Sequence, residues 1–458
     1  MLDWYSVSVL IFVIALFFAL YKDRKNLERN SIMFLRRTER GKGLIKKIAN
    51  TCPFFWKWLG NAGIIVGFAV SVYITYFMIA SLVTSLLSET AVSTLSVVVP
   101  SMSATTSIGP GYLAVPFWYW IISIALLVIV HEGLHGIMTV IGKTKIKSLG
   151  WGVMAILPLA FVEPDEKALQ KKSLVTRLRV YAAGSLSNFI FAFIYLGIFM
   201  LITTTVFIPS GVSYAGTFRD YPAADANLTG AIINVGGYQI RNQDELTLAL
   251  EKIGTNKTIE VITYNGTDNL TFVLTTAGPQ KVEFKPDAFT DFVISLESNF
   301  PGTVKLLNSL SGLSETSTES WQYLNYEKKF WEYAKSNNPS IANRAEAHIA
   351  DIEKALEGRN EPGFIGIGGI STYHKLKDGY KSSEAGIIFF QGLLYFLFIL
   401  NLGVGLANLL PIIPLDGGKM WDDLLKKYVP SKAELITKVL AWSVFLIIVA
   451  GFVIPFLK

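Results

Sequence analysis

Six long apolar segments free of charged residues limit what this sequence can fold into. They cover residues 4–21, 64–87, 90–130 with a continuation to about 141, 180–208, 385–415 and 439–457. Each has at least the roughly 17 residues that a transmembrane helix needs. The composition agrees, because 51% of the residues are hydrophobic and only 17% are charged. We expect a polytopic α-helical membrane protein with six transmembrane helices.

The charges of the connecting segments predict how these helices are oriented. Lys and Arg outnumber Asp and Glu by 11 to 3 in residues 22–57, by 8 to 3 in 143–179 and by 5 to 3 in 419–438. Residues 88–116 carry one charge, Glu89, and residues 209–384 carry 16 basic against 22 acidic residues. Basic loops near helix ends stay in the cytosol. Both termini and the 209–384 segment are therefore expected outside.

The composition disfavours nucleic-acid binding and excludes structures built from paired or clustered cysteines. The basic residues are explained by membrane topology, and no basic patch within a folded domain indicates nucleic-acid binding. Cys52 is the single cysteine, so neither an intramolecular disulfide nor a cysteine metal cluster can form. A metal site would have to use histidines and carboxylates.

The 209–384 segment is long enough for a domain of its own. Residues 230–237 and the pair 259–264 and 270–276, which flank Asn265-Gly266, indicate short strands, and 244–253 has helical spacing. This order, with the run Tyr221-Pro222-Ala223-Ala224, resembles a PDZ domain. Residues 363–369 are expected to return as a strand, and 341–356 to form a helix within a stretch, 284–359, that has no functional interpretation.

The sequence His131-Glu132-Gly133-Leu134-His135 lies toward the cytosolic end of the third apolar segment. Residues four apart share a helix face, so both imidazoles can hold one metal while Glu132 reaches a metal-bound water. An ionisable cluster within a transmembrane segment is costly unless it has a function. The spacing predicts a zinc site with Glu132 as the catalytic base.

Two histidines leave tetrahedral zinc short of a protein ligand. The candidate for the third is Asp416, which follows Pro411 and Pro414 at the cytosolic end of the fifth segment, at the same depth as the first motif. A helix N-cap role is the alternative for Asp416. His348 and His374 lie in the external segment, where surface or core roles are expected.

Together these motifs resemble the site-2 protease family of intramembrane zinc metalloproteases. The family pairs His-Glu-x-x-His with a later Leu-Asp-Gly, here Leu415 to Gly417, and has a Gly-x-x-x-Asn segment matched by Gly184 to Asn188. The segment 157–166 is similar to the apolar, partly re-entrant segment of archaeal-looking members. The resemblance implies His131, His135 and Asp416 as ligands of one zinc ion per chain and Glu132 as general base.

Asn188 has two possible roles. It could donate a hydrogen bond to the oxyanion or position the substrate as a catalytic residue, or it could bond across helices as part of the packing.

The resemblance implies a function in regulated intramembrane proteolysis. Substrates would be single-pass proteins such as membrane-anchored regulators, cut in a prokaryotic, archaeal-like cell membrane, with the active site toward the cytosol and the PDZ-like module outside. The expected division is 1–62 for the first helix and basic loop, 63–208 for the first part of the membrane core, 209–384 for the PDZ-like α+β domain with a helical insertion, and 385–458 for the second part of the core.

Two alternatives compete with this interpretation. A prenyl-protein-type membrane metalloprotease also carries His-Glu-x-x-His, but it completes its site with a Glu, which the Leu-Asp-Gly-Gly run disfavours. A zinc transporter or a scaffold that recruits partners through the module would have no need of Glu132 beside the first histidine.

Overall fold

A computed structural model describes residues 3–30, 33–87, 96–103, 106–109, 111–154, 156–278, 284, 286, 288–305, 321–357, 359 and 361–457. Glu89, the single charge expected between the second and third spans, lies outside the described residues. The chain divides into two compact units, Met1–Ile202 with Ser383–Lys458, and Thr203–Ser382.

The α-helices are α1 Trp4–Asp23, α2 Lys42–Thr51, α3 Pro53–Leu87, α4 Phe117–Ile141, α5 Glu166–Gln170, α6 Leu174–Val206, α7 Pro222–Asp225, α8 Gln243–Ile253, α9 Ala288–Asn299, α10 Trp321–Asn337, α11 Ala342–Leu356, α12 Glu384–Asn408, α13 Asp416–Tyr428 and α14 Ala433–Leu457. The strands are β1 Glu28–Asn30, β2 Met33–Thr38, β3 Val97–Ser101, β4 Ser107–Gly109, β5 Tyr112–Pro116, β6 Ile146–Met154, β7 Leu157–Pro164, β8 Phe207–Ser213, β9 Gly216–Thr217, β10 Ala231–Val235, β11 Tyr238–Gln239, β12 Thr258–Tyr264, β13 Asn269–Thr275, β14 Ile367–Gly368 and β15 Ser371–Leu376.

Six of the described helices are long and apolar enough to cross a membrane: α1, α3, α4, α6, α12 and α14. This confirms the expected polytopic helical membrane protein. Their ends follow local chemistry. Asp3 caps α1 by accepting the Ser6 N–H at 2.8 Å, and α3 begins at Pro53, whose missing N–H costs nothing in a first helical turn.

Two apolar segments depart from the expected spans. The third span, α4, begins only at Phe117, because described residues before it form a small sheet in which β5 pairs with β3 in parallel and with β4 antiparallel. Valines in succession at 97–99 favour strands over helix. The fifth helix ends at Asn408 rather than near 415, since Pro411 and Pro414 cannot continue a helix.

The basic segments expected as loops contain a four-stranded antiparallel sheet in the order β1-β2-β6-β7. Strand β7 covers the segment for which the resemblance implied a partly re-entrant structure, and it forms the edge of this sheet. Helices α4 and α6 pack beside it through a core that includes Leu134, Met138, Ala183 and Leu186. Both metal-site motifs belong to this first unit.

The second unit contains a sheet in the order β13-β12-β10-β8-β15, with β11 paired to β10. Helix α8 packs on it through Leu246, Ala249 and Leu250, and it forms where the spacing of residues 244–253 predicts a helix. The hairpin between β12 and β13 turns over residues 265–268, with the Asn265 side chain accepting the N–H groups of Thr267 and Asp268.

The stretch without a functional interpretation forms α9, α10 and α11 where the structure describes it. These helices share a small core in which Trp331 is fully buried and its ring stacks on His348 at 4.3 Å. The predicted helix over 341–356 is confirmed as α11, which begins at Ala342.

Candidate metal centre

Helix α4 brings two imidazoles to one face, because residues four apart on a helix lie on the same side. The ring centroids of His131 and His135 are 4.8 Å apart, and their Nε2 atoms are separated by 3.2 Å. His131 is buried, with 9% of its surface exposed. The two nitrogens therefore converge on one point.

The third candidate ligand arrives from the start of α13. Asp416 is its first residue, and its Oδ2 lies 3.5 Å from His131 Nε2 and 3.3 Å from His135 Nε2. Glycines at 417 and 418 make this approach possible, because an added Cβ would lie 2.1 Å from the Leu409 carbonyl oxygen or 2.4 Å from the Ile412 backbone. The tight turn before α13 thus requires the Gly-Gly pair.

These three atoms fit a tetrahedral metal. With metal–ligand bonds of about 2.0–2.1 Å, the ligands of tetrahedral zinc lie about 3.3–3.4 Å from one another. The observed separations are 3.2, 3.3 and 3.5 Å. Asp416 Oδ2 is buried and has no hydrogen-bond partner in the part of the chain that the structure describes. A metal ion would satisfy that oxygen, and one tetrahedral position would stay open.

Each imidazole has a second contact that determines which nitrogen is available to a metal. His135 Nδ1–H donates to the carbonyl oxygen of Val180 at 2.7 Å, which leaves Nε2 with its lone pair. His131 Nδ1 lies 3.1 Å from the side-chain amide of Asn188. If His131 binds a metal through Nε2, its Nδ1–H needs an acceptor. Turning the amide supplies Oδ1, which has no other partner among the described residues.

Gly184 lies directly against the two imidazoles. An added Cβ at this position would be 2.3 Å from His135 Nε2 and 2.4 Å from His131 Nε2. No side chain larger than hydrogen fits without displacing the rings. The Gly-x-x-x-Asn segment on α6 therefore contributes a space at its glycine and a polar contact at its asparagine.

Glu132 lines the same cavity, of about 310 Å³, as both histidines and Asp416. Its Oε2 accepts the backbone N–H of Val162 at 2.9 Å. Because β7 is an edge strand, this N–H is available to a side chain instead of a neighbouring strand. The contact holds the carboxylate at the cavity wall.

Charged groups outside the spans surround the cavity. Glu163 accepts a hydrogen bond from the Ser148 hydroxyl at 2.6 Å and pairs with Arg37, and both interactions keep the pKa of its carboxyl below the ordinary value. Lys419, three residues after Asp416, also lines the cavity, and its ammonium lies 5.9 Å from the Tyr181 ring.

The structure brings together all five residues that the sequence singled out: His131, Glu132, His135, Asn188 and Asp416. It places Asn188 against a histidine, and this contact concerns the ring's orientation. The sequence analysis did not identify the roles of Gly184, the Val180 carbonyl or the Val162 N–H. Of these, only Gly184 had a signal, its place in the quoted motif. His348 and His374 lie apart in the second unit, on Trp331 and beside the Thr372 carbonyl oxygen.

Comparison with known proteins identifies a matching family and a curated relative. The model of peptidase family M50 matches residues 119–452, the larger part of the chain. The probable protease eep of Enterococcus faecalis (strain ATCC 700802 / V583) is 24% identical over 291 residues, which are 60% of this chain and 58% of that protein. The alignment thus spans somewhat over half of the relative's length. The matched region includes both motifs of the metal centre, and the chain belongs to peptidase family M50, the site-2 protease family.

Proposed function

We propose that this protein is an intramembrane zinc metalloprotease that hydrolyses peptide bonds in the transmembrane segments of membrane-anchored substrates. The observation that carries the proposal is the triangle of His131 Nε2, His135 Nε2 and Asp416 Oδ2, with sides of 3.2–3.5 Å. Membership in a peptidase family and the probable protease named above support it. An Asp as third ligand also separates this site from one completed by Glu.

The chemistry follows from the groups around the triangle. A bound zinc ion would lower the pKa of water toward about 7 and polarise the substrate carbonyl. Glu132 then takes the proton of the attacking water and delivers it to the leaving amine, acting as general base and then as general acid. The Val162 N–H keeps that carboxylate at the cavity wall, and Asn188 holds the His131 ring in position.

Substrate would bind in an extended form. A transmembrane helix keeps its backbone groups in internal hydrogen bonds, so the bond to be cut must first leave the helix. Strand β7 forms the edge of its sheet, and Phe161 to Pro164 line the catalytic cavity. An extended segment added along this edge would find backbone partners beside Glu132. Single-pass proteins such as membrane-anchored regulators present a segment of this kind, and we assign the enzyme to regulated intramembrane proteolysis.

We further propose that residues 203–382 form a PDZ-like module that screens substrates. Helix α8 and residues 362–370, which include β14, border a cleft of about 260 Å³ lined by Leu246, Leu250, Phe364 and Ile367. If the module excludes bulky substrates without docking them, Thr247→Arg in this cleft should leave cleavage of short substrates unchanged. A slowed rate, absent from Leu248→Arg on another face of α8, would instead show docking.

Two variants test the enzymatic proposal in the purified full-length protein. Glu132→Gln should keep one zinc ion per chain and slow the cleavage of a single-pass substrate by about 10²–10⁴-fold, the usual contribution of a positioned base. Asp416→Ala should lose most of the zinc, because it removes one of three protein ligands. Glu434→Gln, whose side chain is 81% exposed on the same unit, should resemble the wild type.

The outcomes distinguish the competing functions. Wild-type cleavage by Glu132→Gln would remove Glu132 from the reaction. Full zinc occupancy and activity in Asp416→Ala would overturn the ligand assignment. Zinc binding without cleavage of any membrane substrate by the wild type would favour a transporter or a scaffold.

A further inference from the structure

A second cleft lies on the sheet of the 203–382 unit, separate from the cleft beside α8. It has a volume of about 710 Å³ and is lined by side chains from β8, β10, β12 and β15 together with single residues of β11 and β13. It shares no lining residue with the α8 cleft. The proposed proteolysis assigns it no role.

The charge of this cleft is opposite to that of the segment around it. Arg241 and Lys375 line it, and no carboxylate does so among the described residues. Residues 209–384 as a whole carry 16 basic and 22 acidic residues. Two cations without a lining carboxylate in a net acidic unit attract an anion.

The remaining walls provide hydrogen-bonding and aromatic surface. The Lys375 ammonium lies 5.7 Å from the ring of Tyr264, which is itself 6.2 Å from the ring of Tyr373. The side-chain amides of Asn234 and Asn269 also line the cleft. These groups suit a polar headgroup with hydroxyl or phosphate oxygens better than an apolar ligand.

Arg241 has two weak internal partners, and its Nη2 donates to the side-chain carbonyl oxygen of Gln239 at 3.5 Å. Its Nη1 lies 3.9 Å from Glu245 Oε1, with side chains that are 59% and 34% exposed. An exposed ion pair of this length contributes little. The guanidinium can therefore turn to a bidentate anion such as phosphate at small cost.

Chain connections within this unit place the cleft near the ends of two membrane spans. Lys377 donates its N–H to the Val206 carbonyl oxygen at 3.0 Å and its ammonium to the Thr205 carbonyl oxygen at 2.6 Å. The next register pairs are Leu376 with Phe207 and Lys375 with Ile208. The candidate spans end at Val206 and begin again at Asp378.

Lys375 therefore pairs with Ile208, two residues beyond the end of α6 at Val206, and lies three residues before Asp378, where the helical segment that continues into α12 begins. At about 3.3 Å per residue in a strand, that is at most about 10 Å from Val206 or Asp378. The polar headgroup layer on each side of a bilayer is about 5–7 Å thick. Tyrosines are enriched at this depth, and the cleft carries two of them.

We propose that this cleft binds the headgroup of an anionic phospholipid, with its phosphate between Lys375 and Arg241 and against Tyr264. Charge complementarity and the short distance to the span ends select a lipid over a soluble anion. The bound lipid would fasten the sheet of this unit to the membrane surface.

Native mass spectrometry of the full-length protein in detergent, titrated with phosphatidylglycerol or with phosphatidylcholine, tests the proposal. The wild type should bind phosphatidylglycerol more tightly. Lys375→Gln/Arg241→Gln should weaken that binding about 30-fold, the expected effect of two basic groups near an anionic headgroup. Lys375→Arg/Arg241→Lys should retain it. Lys257→Gln/Lys354→Gln, which removes the same charge from exposed positions outside the cleft, should bind as the wild type does.

Three results would overturn the proposal. Equal binding of the two lipids would show no preference for an anionic headgroup. Equal losses in the cleft variant and the exposed control would show attraction by net charge alone. Tight binding of inorganic phosphate that depends on Lys375 and Arg241, without a preference between the lipids, would make the cleft a soluble-phosphate site. None of these outcomes depends on the protease activity.

Discussion

The two imidazoles of the metal centre are held by different kinds of group. His135 donates to the backbone carbonyl of Val180, which no side-chain substitution can remove. His131 relies on the side chain of Asn188, which is itself fully buried. A change at 188 therefore acts on one ligand and leaves the other in place. This contact is a bond across helices, the second of the two roles first considered for Asn188, and the catalytic role stays a prediction.

We predict that Asn188→Ala weakens zinc binding about 10–100-fold, as expected when the partner of a metal-ligating histidine is lost. Asn188→Asp should restore most of the affinity, because a carboxylate oxygen can accept the His131 Nδ1–H. Competition with a chelator measures both values without any substrate. If Asn188→Ala bound zinc as tightly as the wild type while losing activity, Asn188 would act on the substrate instead.

Gly184 provides a second prediction at this scale. Gly184→Ala places a methyl group 2.3–2.4 Å from the ligand nitrogens, so the rings must move apart and zinc occupancy should fall to a small fraction of that of the wild type. Gly197→Ala on the same helix is the matched control, because an added Cβ there meets nothing within 4 Å. Metal analysis of both purified proteins gives the result. Equal zinc content would show that the rings adapt.

At the residue scale, motif spacing was sufficient to select the residues that meet at the metal centre but not the contacts that orient them. His131 and His135 are placed by helix periodicity alone. The Val180 carbonyl and the Val162 N–H are backbone groups that every residue carries, so no residue type signals them. Their roles depend on how α6 and β7 pack against α4, and those contacts join parts of the chain that sequence periodicity does not relate.

Two side-chain contacts hold helix α13 in place, and with it Asp416. Asp423 lies seven residues after Asp416, on the same helix face, and its Oδ2 accepts the Arg177 Nε–H at 2.6 Å. Trp421 donates its indole N–H to the Ser71 hydroxyl on α3 at 2.9 Å. These contacts fasten α13 to α6 and α3, so that the carboxylate at its first residue faces the histidines.

Removing the Arg177–Asp423 ion pair should weaken zinc binding, although neither residue contacts the metal. In Arg177→Ala the buried Asp423 loses its cation, and such losses cost about 3–5 kcal/mol. We expect a lower unfolding temperature and weaker zinc binding together. Lys426→Ala serves as control, because its pair with Asp422 is exposed on the lysine side and such pairs contribute about 0–1 kcal/mol. Arg177→Met/Asp423→Leu should regain stability, since an apolar pair leaves no buried charge. Unchanged zinc affinity in Arg177→Ala would show that the Arg177–Asp423 pair does not position Asp416 for metal binding.

At the element scale, sequence patterns predicted the apolar helices well and the sheet of the first unit not at all. The charge of the basic segments 22–57 and 143–179 predicts on which side of the membrane they lie. It carries no information on whether these segments form strands. Strands β2 and β6 pair Met33 with Met154, a contact more than a hundred residues apart in sequence. The helix start at Phe117 was missed for a related reason, because a charge-free run meets the length criterion whether or not its first part is helical.

For the whole molecule, hydropathy predicted six spans and the described helices supply six. The inserted segment was recognised because its charge balance and its strand and turn signals differ from those of the membrane core. The second compact unit covers Thr203–Ser382, whereas hydropathy placed its start after residue 208. The apolar run extends that far because β8, which follows α6 directly, begins with Phe207 and Ile208. The orientation in the membrane depends on loop charge alone, and it stays a prediction.

Cysteine labelling tests that orientation. In a Cys52→Ser background, which removes the exposed native thiol, Lys145→Cys and Lys427→Cys should react with a membrane-impermeant maleimide only in inverted vesicles, because basic loops remain in the cytosol. Lys257→Cys in the second unit should react in intact cells. All three positions are exposed in the structure, so a missing signal reports the membrane barrier and not burial. Reaction of Lys145→Cys in intact cells would reverse the topology, and the metal centre would then open to the outside. Among the described residues, helix α6 is the one candidate span between positions 145 and 257. If Lys257→Cys and Lys145→Cys reacted from the same face, α6 would not cross the membrane.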